Sequence, residues 1–166
     1  MRDIILIAHN LRSCHNVGSL LRTAEGLGVT QVILSGYTPY PFDQTRHDDR
    51  LPHIARKVHA RISKTALGAE QSQAWRQADD IGTVLDGLVA GGYRLAAVEQ
   101  SSDSIALHQY QPTGKLALLV GREVEGVEPA VLERMDDILE IPMFGSKESF
   151  NVVQAAAMAM FHCRFS

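Results

Sequence analysis

Residues 3–36, DIILIAHNLRSCHNVGSLLRTAEGLGVTQVILSG, decide the fold class of this chain. Two short runs rich in β-branched residues, DIILIA and QVILSG, predict strands. Between them, apolar residues recur at spacings of three and four positions. This spacing predicts a helix with Asn16 as its N-cap and Gly28 at its end. A strand, a helix and a second strand in this order favour a parallel pair joined by a right-handed crossover.

The rest of the chain continues this alternation of strands and helices. YRLAAVEQ, KLALLVG and DILEIPM predict further strands, and QADDIGTVLDGLVAGG, EPAVLERM and SFNVVQAAAMAMFHCRF predict helices. We therefore expect an α/β fold in which a mostly parallel sheet carries helices on both faces. With 166 residues, the chain is expected to form a single domain over residues 1–166.

Composition argues against several classes of protein. No apolar run approaches the roughly 20 residues of a membrane span. The opening apolar run is also too short for a signal peptide, so we expect a cytoplasmic protein without a membrane partner. The two cysteines, Cys14 and Cys163, and the seven histidines show no spacing typical of metal ligands. We therefore expect no metal site.

Charge is distributed unevenly along a chain whose formal net charge is −3. Residues 123–140 contain seven acids against one base, whereas residues 43–64 contain six bases against three acids. The bases of this second segment are Arg46, Arg50, Arg56, Lys57, Arg61 and Lys64. A local phosphate-binding surface and a solvated helix face both account for them, and charge alone favours the solvated face.

Polar residues follow the predicted strands, where open parallel sheets bind their ligands. They are, in chain order, His9 and Asn10, Glu99 and Gln100, residues 121–123 and residues 143–151. GREVEGVEP, residues 121–129, has two glycines spaced as in a phosphate-binding loop, but no Lys-Ser/Thr follows and its three glutamates would repel a triphosphate. Such a turn suits a ligand with positive charge or sugar hydroxyls. An ordinary strand-to-helix turn explains it equally well.

Two helices raise further questions about binding. In the final helix, Gln154 is the single polar interruption from Val152 to Phe161, and helices that are apolar all round are buried, either within one domain or between two copies of the chain. Ser149 is its expected N-cap. On the first helix, Arg22 lies away from the apolar stripe, and we expect Gly18 and Gly26 to flank it on the same exposed face. This arginine is either a phosphate clamp or an ordinary exposed arginine.

Three segments, in this order, resemble the motifs of the SpoU–TrmH family of the SPOUT superfamily. They are NVGSLLRTAEGLGV (residues 16–29), LLVGREVEGV (residues 118–127) and IPMFGSKESFNVVQAAA (residues 141–157). They are similar to Asn-x-Gly-x₃-Arg, to a hydrophobic strand ending in Gly-x-Glu-x₂-Gly, and to Ile-Pro-Met-x-Gly-x₃-Ser-Leu-Asn-Val. Arg122 precedes the glutamate of the second motif, and Phe150 stands where leucine is usual. The resemblance extends over essentially the whole chain.

The resemblance implies a Rossmann-like fold with a C-terminal trefoil knot, without an added RNA-binding domain, in a homodimer. It implies an S-adenosylmethionine (AdoMet)-dependent RNA ribose 2′-O-methyltransferase, with tRNA favoured over rRNA as the substrate. The alternative is a non-catalytic RNA-binding or chaperone-like module on the same fold. The RNA would be held by the basic segment from Arg46 to Lys64 and by KTALGAE, residues 64–70.

The resemblance also implies residue roles. The residues implied in AdoMet binding are Val98, Gly121, Ile141, Met143, Ser149 and Phe150. Arg22 is implied as the catalytic arginine, which helps to deprotonate or polarise a ribose 2′-hydroxyl. The residues implied to support this site and orient the substrate are Asn16, Glu123, Ser149 and Asn151.

Overall fold

The computed structural model describes residues 1–45 and 47–166, so Arg46 of the basic segment lies outside the described residues. Seven strands form one sheet: β1 (Ile4–His9), β2 (Gln31–Ser35), β3 (Trp75–Ala78), β4 (Tyr93–Val98), β5 (Ile105–Ala106), β6 (Lys115–Val120) and β7 (Asp137–Glu140). The helices are α1 (Cys14–Gly26), α2 (Pro52–Ala66), α3 (Ala69–Ser72), α4 (Ile81–Ala90), α5 (Pro129–Leu132) and α6 (Val152–Phe165). A 3₁₀ turn follows β5.

The strand order is β3-β2-β1-β6-β4-β7-β5, and every pairing is parallel. The predicted α/β fold with a parallel sheet is confirmed, and so is the opening unit in which α1 connects two adjacent strands. The trefoil knot stays a prediction. In the part of the chain described, no helix is both long and apolar enough to cross a membrane.

The core lies on both faces of the sheet because the central strands are apolar on both sides. All six residues of β1 are buried. Ile4 and Leu6 join a cluster that also includes residues of α1, α2 and α6. Ile5 and Ile7 join a second cluster with residues of α4 and α5. Successive side chains of a strand point to opposite faces, so helices cover both sides, as predicted.

Two predicted helix caps are wrong by a few residues. The N-cap of α1 is Ser13, whose hydroxyl accepts a hydrogen bond from the Asn16 backbone N–H at 3.2 Å. The N-cap of α6 is Asn151, whose side chain accepts from the Val153 N–H at 2.8 Å, and Ser149 lies before it. Several polar residues precede each helix, and propensity alone does not choose among them.

Two edge strands were missed by the sequence patterns. The strand β3 carries mixed polar and apolar residues, and β5 has only two residues, so neither gives a period-two signal. The sequence prediction had placed Gln77 and Ala78 in a helix. They belong to β3, because the edge of β2 offers unpaired backbone groups that pair with Arg76, Gln77 and Ala78.

The predicted exposure of Gly18 beside Arg22 is wrong. Gly18 is buried where α1 crosses α2, and a Cβ there would lie 2.2 Å from both the Ile62 carbonyl oxygen and the Thr65 hydroxyl. Glycine thus allows these two helices to approach closely. Arg22 and Gly26 are exposed, as predicted.

One side of α6 remains uncovered in the single chain. Ala156, Ala159 and Met160 face the core, whereas Phe161 and Phe165 are 59% and 71% exposed. The ring centroids of these two phenylalanines lie 4.8 Å apart. Burial within the fold therefore explains most of the apolar character of this helix, but not the two exposed phenylalanines.

Candidate functional site

A cleft of about 270 Å³ opens at the carboxyl ends of β4, β6 and β7. The six residues implied in cofactor binding all line it: Val98, Gly121, Ile141, Met143, Ser149 and Phe150. Three segments that are far apart in the sequence thus meet at one place. The strand order explains why, since β6, β4 and β7 are neighbours and their ends lie side by side.

The walls of the cleft combine apolar side chains with a negative rim. Val98, Val120, Leu139 and Ile141 provide apolar surface. The acidic side chains at the rim are Glu99, Glu123, Glu125 and Glu148. A ligand with a flat apolar part and a positive charge fits such a lining.

Residues 121–126 form one wall of the cleft. They belong to the segment of residues 121–128, which we call the anchored turn. Its Glu123 carboxylate accepts hydrogen bonds from the backbone N–H groups of Arg12 and Ser13 and from the Asn16 side-chain amide, each at 3.2 Å. Burial alone would raise the pKa of Glu123. These donors and its own N–H outweigh burial, so that the pKa is lowered. Glu123 therefore joins the second motif to the start of α1.

The glycines of the anchored turn are required by close packing. A Cβ on Gly121 would lie 2.7 Å from a methyl carbon of Val127 and 2.8 Å from the carbonyl carbon of Gly126. Gly126 has a φ of 69°, and a Cβ there would lie 2.2 Å from the Glu99 carboxylate. That carboxylate accepts from the Val127 N–H at 3.0 Å, which joins the turn to the end of β4. Larger residues are excluded at both glycines.

A buried polar cluster supports the far end of the anchored turn. The Asn10 amide donates to Glu128 at 2.9 Å, and the buried His9 ring lies 3.4 Å from the second oxygen of this carboxylate. His9 also shares a 2.9 Å hydrogen bond with Ser35. Burial lowers the pKa of His9, although the negative charge of Glu128 opposes this shift. The polar residues after β1 thus act as a support and do not reach the cleft.

The other wall includes Glu148, Ser149 and Phe150. They belong to the segment of residues 144–151, which we call the tethered loop. Every residue in it is exposed, and Phe144 is 99% exposed. Apart from the Asn151 cap on α6, one hydrogen bond joins the loop to the described part of the protein. In this bond the Gln100 side chain donates to the Glu148 carbonyl at 2.8 Å. The tethered loop carries Ser149 and Phe150 of the predicted cofactor site.

The five residues implied in catalysis are not all brought together in the single chain. Glu123 and Ser149 line the cleft, Asn16 is hydrogen-bonded to Glu123, and Asn151 caps α6 beside the tethered loop. Arg22 is exposed on α1 and does not line the cleft. A complete site with all five residues requires Arg22 from a second copy of the chain or a movement of α1.

Sequence reasoning missed the residues that hold the walls in place. Arg12 and Ser13 contact Glu123 through backbone N–H groups, and residue types do not reveal such contacts. Gln100 was noted only as a strand-end residue, and its contact with the Glu148 carbonyl is not readable from residue types. Glu70 of the KTALGAE segment is buried. Its carboxylate accepts from Ser63 and from the Gly68 N–H, so it stabilises the end of α2 and is not an RNA contact.

Within the described residues, no group of three or more His, Cys, Asp or Glu side chains is arranged to hold a metal ion. The free thiols, Cys14 and Cys163, are both buried. Burial raises the pKa of the Cys163 thiol to about 11, which keeps it protonated at neutral pH.

Comparison with known proteins identifies relatives of the whole chain. The model of the SpoU rRNA Methylase family matches residues 50–161. The 23S rRNA (guanosine-2′-O-)-methyltransferase RlmB of Escherichia coli (strain K12) is 29% identical over 160 residues, which are 96% of this chain and 59% of the relative. This chain therefore spans about three fifths of the length of that curated relative.

Solved structures share the fold at lower sequence identity. An AdoMet-bound rRNA methyltransferase from Sinorhizobium meliloti superposes with a TM-score of 0.81 at 19% identity, over 98% of this chain and 56% of the other. A TrmH/SpoU tRNA modifying enzyme from A. aeolicus gives a TM-score of 0.78 at 21% identity, over 99% and 75% of the two chains. At these identities the likeness establishes the fold alone.

Proposed function

Because this chain belongs to the SpoU rRNA Methylase family, we propose that it is an AdoMet-dependent RNA ribose 2′-O-methyltransferase that acts as a homodimer. One observation carries the proposal. The second and third motifs, which are far apart in the sequence, line a single cleft with apolar walls and a negative rim, and the first motif is hydrogen-bonded to it through Asn16 and Glu123.

The lining of the cleft fits AdoMet by its chemistry. Val98 and Ile141 offer apolar surface for a purine ring, and the rim carboxylates of Glu99 and Glu148 favour a cation such as a sulfonium. Gly121 and Phe150 would bind AdoMet mainly through their backbone groups. When bound, the cofactor supplies the methyl group that the ribose 2′-oxygen takes.

The residues of the chain itself have to activate the 2′-hydroxyl and align it. A ribose hydroxyl is a weak nucleophile until its proton is withdrawn, and a guanidinium close to it favours the ionised form. Arg22 is the proposed source of this charge, and Ser149 and Asn151 would orient the ribose. The lowered pKa and the three donors on Glu123 make this carboxylate a weak base. We therefore assign Glu123 a positioning role.

The proposed homodimer accounts for two features that the single chain leaves unexplained. The exposed face of α6, with Phe161 and Phe165, is an apolar surface that a second copy would cover. Arg22 is exposed on α1, and α1 packs against α6. We propose a dimer in which this arginine lies near the interface. The dimer would then bring an Arg22 to each cleft.

Two RNAs are candidate substrates. The first is tRNA, the substrate that we expect from the resemblance to short members of the family. The name of the curated E. coli relative specifies 23S rRNA, which makes this RNA the second candidate substrate.

The decisive experiment incubates the purified chain and AdoMet with tRNA and 23S rRNA in separate reactions, and maps ribose methylation by mass spectrometry. We expect a methyl group on a defined 2′-oxygen in one of the two RNAs. The Arg22→Ala variant should bind AdoMet as the parent does in calorimetry and lose nearly all turnover. A parent chain that binds RNA but neither AdoMet nor S-adenosylhomocysteine would instead be the non-catalytic RNA-binding module.

A further inference from the structure

The outward side of α2 carries a basic stripe. Positions 53, 56, 57, 60, 61 and 64 follow the three- and four-residue spacing of one helix face, and all six are exposed. Except for an alanine at position 60, they are basic or histidine: His53, Arg56, Lys57, Arg61 and Lys64. The other side of the helix, with Ala55, Ile62 and Ala66, is buried. We call these exposed positions the basic stripe.

The basic stripe does not stabilise the chain itself. Helix α2 contains no acidic residue, and none of its four Lys and Arg side chains forms an ion pair or a hydrogen bond within the described structure. The pairs Lys57–Arg61 and Arg61–Lys64 place like charges four and three residues apart, and each such pair destabilises a helix by roughly 0.2–0.5 kcal/mol. An ordinary solvated face would mix the two signs of charge.

Several cations outside the basic stripe form ion pairs within the protein. Arg50, Arg94 and Arg134 each contact a carboxylate, with closest distances of 2.5–2.6 Å. Seven Lys and Arg side chains of the described residues have no ion pair or hydrogen bond, although the chain has a net charge of −3. Four of them lie together on α2, and the others are spread over three separate segments: Arg22, Arg76 and Lys147. A face that repels itself and lacks internal partners is complementary to a polyanion.

The position of α2 connects the basic stripe to the cleft. The Thr65 hydroxyl donates to the His15 carbonyl at 2.8 Å, so the last turn of α2 lies against the first turn of α1. In that same turn of α1, Asn16 is hydrogen-bonded to Glu123 of the cleft. Lys64 is therefore at the end of the stripe that lies toward the site.

We propose that the basic stripe is the docking surface for the RNA substrate, and that it binds backbone phosphates without reading base sequence. This inference rests on the proposed function, because that activity makes RNA the polyanion. From position 53 to position 64 the stripe is about 16 Å long at 1.5 Å per residue. Its four permanent cations would neutralise up to four phosphates. The bound strand would then run along α2 toward the cleft.

The test compares two double variants with the same loss of charge. Lys57→Gln with Arg61→Gln removes one lysine and one arginine from the stripe. Lys115→Gln with Arg134→Gln removes the same pair elsewhere, since Lys115 begins β6, at the amino ends of the strands and away from the cleft, and Arg134 follows α5. Binding of bulk tRNA is measured by fluorescence anisotropy over a series of salt concentrations, and AdoMet binding is measured by calorimetry.

Each phosphate contact contributes about 0.7–0.9 to the slope of log affinity against log salt concentration, so the stripe variant should lose about 1.4–1.8 of this slope. The control variant should keep the parent slope, and both should bind AdoMet as the parent does. Equal losses in both variants, or none in the stripe variant, would overturn the docking role. A stripe-dependent slope in a parent that methylates no RNA would support the docking role and refute the proposed activity.

Discussion

The two walls of the cleft are built in opposite ways. The anchored turn is fixed by hydrogen bonds to Glu123 from the start of α1, by the Glu99 carboxylate, and by the Asn10 amide on Glu128. The tethered loop, in contrast, is exposed throughout and is joined to the sheet side of the cleft by Gln100 alone among the described residues.

The two walls therefore affect ligand binding in different ways. A wall that is fixed before the ligand arrives loses no further conformational entropy on binding, and it can set the position of the ligand precisely. A wall with one hydrogen bond can open to admit a ligand, but ordering it on binding reduces the affinity. We therefore expect the anchored turn to determine whether the ligand binds and the tethered loop to determine how tightly.

The largest effect is expected for Gly121→Ala in the anchored turn, because this variant should lose AdoMet binding as well as stability. The new methyl group would overlap the backbone at Gly126 and Val127, which cannot move without breaking the contacts of the turn. Such overpacking costs about 1–3 kcal/mol in the free energy of unfolding. Thermal denaturation should show a lower melting temperature, and calorimetry should show no AdoMet binding. A variant with the parent's affinity would show that the turn is not fixed.

The next largest effect is expected for Glu123→Gln. An amide replaces the charged acceptor of three hydrogen bonds, and hydrogen bonds to a charged group contribute about 1.5–3 kcal/mol. Urea denaturation should show a loss on this order. Glu125→Gln is the control, because Glu125 forms only a surface ion pair with Arg12 and should change stability by less than about 1 kcal/mol.

The carboxylates of Glu123 and Glu128 should make the stability of the protein depend on pH. Because the folded-state pKa values of Glu123 and Glu128 are lowered from the ordinary 4.5, their contribution is complete above that pH and is lost as the pH falls through the folded-state pKa values. The fall in unfolding free energy below pH 4.5 should be shallower in Glu123→Gln than in the parent. Identical profiles for the two proteins would contradict this assignment.

A smaller effect is expected for Gln100→Ala, which removes the hydrogen bond to the tethered loop. The loss of about 0.5–1.5 kcal/mol should appear in AdoMet binding, as an affinity lowered roughly two- to tenfold. The melting temperature of the free protein should stay unchanged, and so should kcat at saturating AdoMet. Gln71→Ala, an exposed glutamine on α3, is the matched control. A lower melting temperature with unchanged affinity would mean that Gln100 has only a structural role.

The smallest effect is expected for Gly145→Ala in the tethered loop. No atom of the described residues lies within 4 Å of a Cβ at this position, and its φ is outside the left-handed region. Melting temperature and AdoMet affinity should both match the parent, within about 0.5 kcal/mol. The same substitution at Gly121 and Gly145 thus separates the fixed wall from the open one. Loss of AdoMet binding in both variants would contradict the distinction between a fixed wall and an open wall.

The sequence predicted features that depend on local pattern. The buried run of β1 and the three- and four-residue spacing of α1 determined the opening unit, and the motifs predicted which strand ends line the cleft. Features that depend on tertiary contact were not predictable. The burial of Gly18 results from the crossing of α2, and the tether from Gln100 depends on where a distant loop lies. The cap of α6 depended on a choice between two residues of similar propensity.

The place of β6 in the sheet has a consequence for folding during synthesis. β1 pairs with β2 on one side and with β6 on the other, yet about 80 residues separate β2 from β6 in the sequence. At about 5–20 residues per second, a ribosome needs roughly 4–16 seconds to make that interval. During this time one edge of the apolar strand β1 has no partner strand. The nascent chain is therefore prone to aggregation, and we expect chaperones to bind it.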